Sequence, residues 1–141
     1  IGCLGKITNF SETADGRYQI NLEGIDRFKL NKVINSDHKF IIIEGQTVSF
    51  EKNFSKNTNS NEKMLSVFEK FLKEKKINFD TKSLESLDPT SLAKIICVVS
   101  PLDHLVKQML LEFNNEKDLF ENLLSVLEIE MKDNNINLKV N

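Results

Sequence analysis

No stretch of this sequence offers the run of roughly 18 to 20 apolar residues that a membrane-spanning helix needs, so the chain is expected to work outside the membrane. The two cysteines, Cys3 and Cys97, form no C-x-x-C pair and have no histidine at metal-ligand spacing. That argues against a disulfide framework or a zinc site and for reduced thiols in a cytoplasm. Glycine is scarce, five in 141 residues, and no G-x-x-x-x-G-K-[ST] loop occurs, so nothing here is built to cradle ATP. Charge of one sign is lacking as well. Nineteen basic residues face twenty-one acidic ones, the net charge is −2, and the signs are interleaved. Binding a phosphate backbone needs clustered cations that release counterions, so nucleic acid is disfavoured as a partner. Arginine is nearly absent: seventeen of the basic residues are Lys, and sixteen Asn accompany them, a skew we read as nucleotide-composition bias.

What is present changes character once along the chain. From Ile1 to about Phe50 apolar residues recur with a period near two, and from about Glu62 with a period near 3.6. Between these lies the almost wholly polar stretch 53–61, read as a linker. The layout is therefore 1–52 β-rich, 53–61 linker and 62–141 helical. Tyr18, Ile20 and Leu22 alternate with polar residues, as in a strand with one wet and one buried face. Cys3 to Phe10 is a second strand, and Asp15-Gly16 between the two supplies the positive φ of a hairpin. Ile25–Ile34, Phe40–Glu44 and Thr47–Glu51 complete an antiparallel sheet or barrel, with Val48 and Phe50 inward. Because the sequence opens at Ile1, already inside strand-like pattern, an upstream portion is expected.

The second part carries four helix signatures. Asn61 stands where it caps a helix with the stripe Met64, Leu65, Val67, Phe68, Phe71 and Leu72. Asp88-Pro89 pairs an N-cap with proline at the first helical position, ahead of Leu92, Ile95, Ile96 and Val99. Ser100, Pro101 and Asp103 repeat the device for a helix burying Leu105, Val106, Met109 and Leu110. Asn115, with Asp118 three residues on, caps a last helix that buries Leu119, Phe120, Leu123, Leu124, Leu127 and Met131. Four such stripes need one another, so a helical bundle is expected and the fold class is α+β.

Three segments in the first part, Gly2-Cys3-Leu4-Gly5-Lys6-Ile7, Asp15-Gly16-Arg17-Tyr18 and Gly24-Ile25-Asp26-Arg27-Phe28, resemble the centre of the Lon protease N-terminal domain family. There a strand of the form G-x-x-G-x-I is followed by a D-G-R-Y hairpin and a G-x-x-R-F strand. Ser100-Pro101-Leu102-Asp103, Lys107-Gln108 and the run Leu123 to Met131 are similar to the family's C-terminal helices, especially in short bacterial members made of this domain alone. The resemblance implies a PUA-like pseudo-barrel followed by a helical subdomain that binds substrate and performs no catalysis. It also implies that Gly2, Gly5, Asp15, Gly16, Arg17, Tyr18, Gly24, Arg27, Phe28, Ser100 and Pro101 are structural motif positions. No serine has the setting of the family's Ser-Lys dyad, so no catalytic residue is assigned.

Other residues invite a chemical reading and do not sustain it. His38 and His104 fall on different elements from each other and from the cysteines, without a metal or nucleophile signature, and are read as structural or surface residues. Cys97, between Ile96 and Val98, and Cys3, in a strand, are read as buried apolar side chains. Glu12 and Asp15 sit at a hairpin, where turn chemistry accounts for them. Arg27 reads as an ion-paired residue fixing strand register, with carboxylate or backbone binding as the alternative. The run Glu69-Lys70 and Lys73 to Lys76 is the solvated face of a helix. Phe10, Phe54 and Phe79 lie at element ends, where exposed rings suit contact with unfolded chains. The expected activity is therefore recognition of unfolded or hydrophobic protein segments, linked to protein quality control in the cytoplasm, with no cofactor, metal, nucleic acid or membrane involved. An RNA-binding PUA-like module, a small-molecule-binding barrel and an enzyme with its site upstream are the rivals.

Overall fold

The computed structural model describes residues 1–35, 37–51 and 58–137, so Phe54 and most of the linker region lie outside it. Three antiparallel strands come first, then four helices, and the fold is α+β. The chain divides into two compact units, 1–49 and 50–141.

The first unit is a three-stranded sheet in the order β1 (Gly2–Glu12), β2 (Tyr18–Ile34), β3 (Ile42–Thr47). It is an open sheet; among the described residues no barrel closes. The two strands read from the sequence on either side of Gly24 are one strand of seventeen residues. Its phase changes without a break because Leu4 pairs with Asp26 while Gly5 pairs with Gly24, leaving Ile25 as the extra residue of a bulge. Further register shifts leave Thr8 unpaired on β1 and Asn31 unpaired on β2. The shift at Thr8 lets Ile7 and Phe10, three apart, pair with Leu22 and Ile20, two apart. The strands expected at Phe40–Glu44 and Thr47–Glu51 are replaced by the single strand Ile42–Thr47, and the bond from Val48 N–H to Arg27 O (3.0 Å) extends its pairing.

Expected burial fails in this unit. Tyr18, Ile20 and Leu22 alternate as read, yet they are 63%, 44% and 66% exposed, and no described residue of 1–49 is buried. A sheet buries a face only against another layer, and the described residues of this unit form one layer.

The second unit holds the core. Helix α1 (Thr58–Glu74) is followed by a 3-10 turn at Lys82–Leu84, then α2 (Pro89–Val99), α3 (His104–Glu112) and α4 (Glu116–Asn137), with α4 touching the other three helices. Met64, Phe68, Phe71, Leu92, Ile96, Leu123 and Leu127 are sealed from water. Removing a side chain of this kind from water is worth roughly 1.5–3 kcal/mol, so this unit gathers most of the chain's hydrophobic stabilisation. Phe79, expected at an exposed element end, instead packs on the core, its ring edge-on to Phe68 at 6.1 Å.

The caps explain the boundaries. Asp88 accepts from the N–H groups of Thr90 and Ser91, both at 3.1 Å, with Pro89 next to it. Asp103 accepts from Leu105 N–H (2.8 Å), and Asn115 accepts from Asp118 N–H (2.8 Å) while donating to its carboxylate (2.7 Å). Asn61 is not the cap its position suggested: it lies inside α1 and donates to Leu87 O at 3.0 Å, tying that helix to the chain before α2. The end of α1 is set by Lys76 at φ 56°, where Ile77 N–H reaches Leu72 O (2.9 Å) and Lys76 N–H reaches Lys73 O (3.1 Å). That paired closure is a Schellman motif, with lysine at the left-handed position where glycine is usual. Helix α3 is less buried than its stripe implied. Leu110 is buried and Val106 half-buried, but Leu105 and Met109, one turn apart on the same face, are exposed. A helix of nine residues that packs mainly on α4 covers only a narrow strip of its surface.

Candidate functional site

Most of the exposed large apolar side chains among the described residues lie in the sheet unit. Ile7 opposite Leu22 and Phe10 opposite Ile20 form adjoining cross-strand pairs, and Tyr18 stacks on Phe10 with ring centroids 5.1 Å apart. Opposed residues of an antiparallel pair project to the same side, so these five make one apolar ribbon. Every one of them is at least 44% exposed. The ribbon leads to the hairpin tip, which is locked by its own polar groups. Gly16, at φ 79°, donates to Thr13 O at 2.9 Å, a conformation an L side chain resists. Asp15 accepts from Arg17 Nε (2.8 Å) and pairs with its Nη2 (2.6 Å), and also accepts from the Thr13 hydroxyl. Arg17, followed by Thr13, holds the Asp15 carboxyl below the usual carboxylate range. The D-G-R-Y segment is thus a self-contained clip, with its tyrosine joining the apolar ribbon.

The remaining motif positions lie on the β1–β2 ladder and around the end of α2. Gly5 pairs with Gly24 beside the bulge, and Gly2 pairs with Phe28. Open space surrounds the places where a Cβ would sit on Gly2 and Gly24, so nothing in the structure explains glycine there. Arg27 lies opposite Cys3, is half-buried, and takes the Val48 N–H on its backbone carbonyl. Phe28 has a clear packing partner that its own sequence motif does not reveal. Its ring lies over Gly45 of β3, and a Cβ on Gly45 would collide with both that ring and Lys29 O. Glycine is required there by close approach, a demand visible only once the register is known. In the helical unit, Ser100 is buried at the end of α2 with its N–H on Ile96 O (3.0 Å), and Pro101 is exposed in the link to α3.

The chemically suggestive residues lie on different elements. His38 stacks on Phe40 in an exposed loop, and His104 sits on the first turn of α3 with Nδ1 3.4 Å from Asp103 Oδ2. Cys3 is exposed on its strand rather than buried as expected, because the described residues of its unit form a single layer. Cys97 is half-buried against the helical core, where burial pushes its thiol up to about 11. It is therefore protonated at neutral pH and a poor nucleophile. Among the described residues no three His, Cys, Asp or Glu side chains gather as a metal site, and no helix is long and apolar enough to cross a membrane.

Sequence reasoning missed one buried polar cluster. Thr90 donates to the Glu116 carboxylate where α2 meets α4, and Glu116 N–H bonds Glu51 O (3.2 Å) while Glu51 N–H bonds Asn114 O (2.9 Å). These contacts fasten Glu51, near the start of the helical unit, to the start of its last helix. Two polar residues 26 positions apart give no local signal of meeting.

Comparison with curated proteins finds no match. A family profile, that of the ATP-dependent protease La (LON) substrate-binding domain, matches residues 1–128 and so spans both the sheet and most of the helical unit. That domain binds substrate and is noncatalytic. The chain belongs to the Lon substrate-binding domain family.

Proposed function

We propose that this domain recognises unfolded or hydrophobic polypeptide segments in cytoplasmic protein quality control, and that it neither hydrolyses ATP nor cleaves protein. The observation that carries the reading is the apolar ribbon of β1 and β2, exposed at Ile7, Phe10, Tyr18, Ile20 and Leu22. Contiguous apolar surface of this kind on a soluble protein marks a place where polypeptide or another apolar partner docks. Family membership supplies the substrate-binding role, and the ribbon supplies its chemistry. We assign the motif residues around it, Asp15, Gly16, Arg17, Gly24, Arg27 and Phe28 among them, to shaping the sheet rather than to touching substrate. The same reading takes the sheet as a PUA-like element, the stretch 53–61 as the connection to the helices, and nucleic acid as a non-partner, in keeping with the interleaved charges.

Titration of the purified chain against a denatured protein and against single-stranded RNA, each at low and moderate salt, tests the proposal. Apolar binding of the denatured protein should change little with salt, because no counterions are released. Tight, salt-sensitive RNA binding with no response to the denatured protein would reverse the assignment.

A further inference from the structure

We draw no further inference here: the strongest candidate, the exposed apolar side chains Val98, Leu105 and Met109 at the α2–α3 corner, carries nothing because nothing in the structure shows what covers them.

Discussion

The two units of this chain use similar apolar residues to opposite ends. In the helical unit Leu, Ile, Met and Phe at period 3.6 are drawn into one core, and several of them lose all contact with water. In the sheet unit Ile, Leu, Phe and Tyr, at a period near two, form strands that pair across bulges and stay exposed. Periodicity therefore dictates which element forms, whereas burial depends on whether a second layer is present to receive the apolar face. A helix bundle supplies its own partners; a three-stranded sheet does not.

The sharpest way to break this contrast is to remove equivalent apolar bulk from each unit. Leu123→Ala, in the sealed core, should cost about 2–5 kcal/mol, read as a fall in the urea or thermal midpoint of the helical signal. Ile20→Ala on the sheet should shift stability by less than about 1 kcal/mol, since a half-exposed side chain has little transfer energy to lose. Equal losses at the two positions would show that the ribbon is buried in solution.

Gly45→Ala probes the sheet by its backbone instead of its apolar surface. The added methyl meets Lys29 O and the Phe28 ring, so β3 must move away from β2, at a cost of about 1–3 kcal/mol. Amide exchange should speed up across Ile42–Thr47 and remain slow in the helical core. Unchanged protection in β3 would refute the close approach.

The caps test a smaller effect with a defined pH dependence. Asp88→Ala should lower stability by about 1 kcal/mol through loss of the α2 cap. The Asp88 carboxyl is held below its ordinary value, first by the Ser91 side chain and then by backbone N–H groups. A depressed folded value means the unfolded state binds more protons, so stability rises with pH through the acid range. The cap's contribution is complete above the ordinary carboxylate range and is lost as pH falls through the folded value. The wild-type and Asp88→Ala midpoints should accordingly converge on acidification. The Asp15 carboxyl is depressed in the same sense by Arg17, so the hairpin tip should loosen over the same interval, seen as faster exchange at Gly16 N–H.

Lys76→Gly is expected to have the smallest effect and the opposite sign. Lysine at φ 56° carries a left-handed penalty that glycine avoids, so the change should stabilise the helical unit by up to about 1 kcal/mol. A lower melting temperature would mean that the Lys76 side chain contributes more than its backbone costs.

These comparisons also show why parts of the molecule were legible and parts were not. Asp88-Pro89, Asp103 and Asn115 were readable as helix starts because a cap is a local interaction between residues two or three apart. The Asp15-Gly16 turn was readable for the same reason. The merging of two strands into β2, the glycine requirement at Gly45 and the Thr90–Glu116 bond were not, because each depends on a partner from a distant stretch of chain. Leu105 and Met109 misled for a related reason: their spacing marks a face, but only the neighbouring helices decide whether that face is covered. The proposed binding surface was legible only at Phe10, whose place at an element end marks an exposed ring; Tyr18, Ile20 and Leu22 look in sequence like an ordinary buried strand face, and their exposure is what sets them apart.

The central claim is that the sheet's apolar ribbon, and not exposed apolar surface in general, binds unfolded polypeptide. Phe10 and Leu105 are 60% and 68% exposed, one on the ribbon and one on α3, so charge introduced at either should be tolerated by the fold. Affinity for a fluorescently labelled denatured protein should be measured for Phe10→Asp and Leu105→Asp beside the unaltered chain, with circular dichroism confirming that all three are folded. Losing one buried aromatic contact is worth about 1.5–3 kcal/mol, so Phe10→Asp should weaken binding on the order of tenfold or more while Leu105→Asp leaves it unchanged. Equal affinity for the folded Phe10→Asp variant and the unaltered chain would contradict the account.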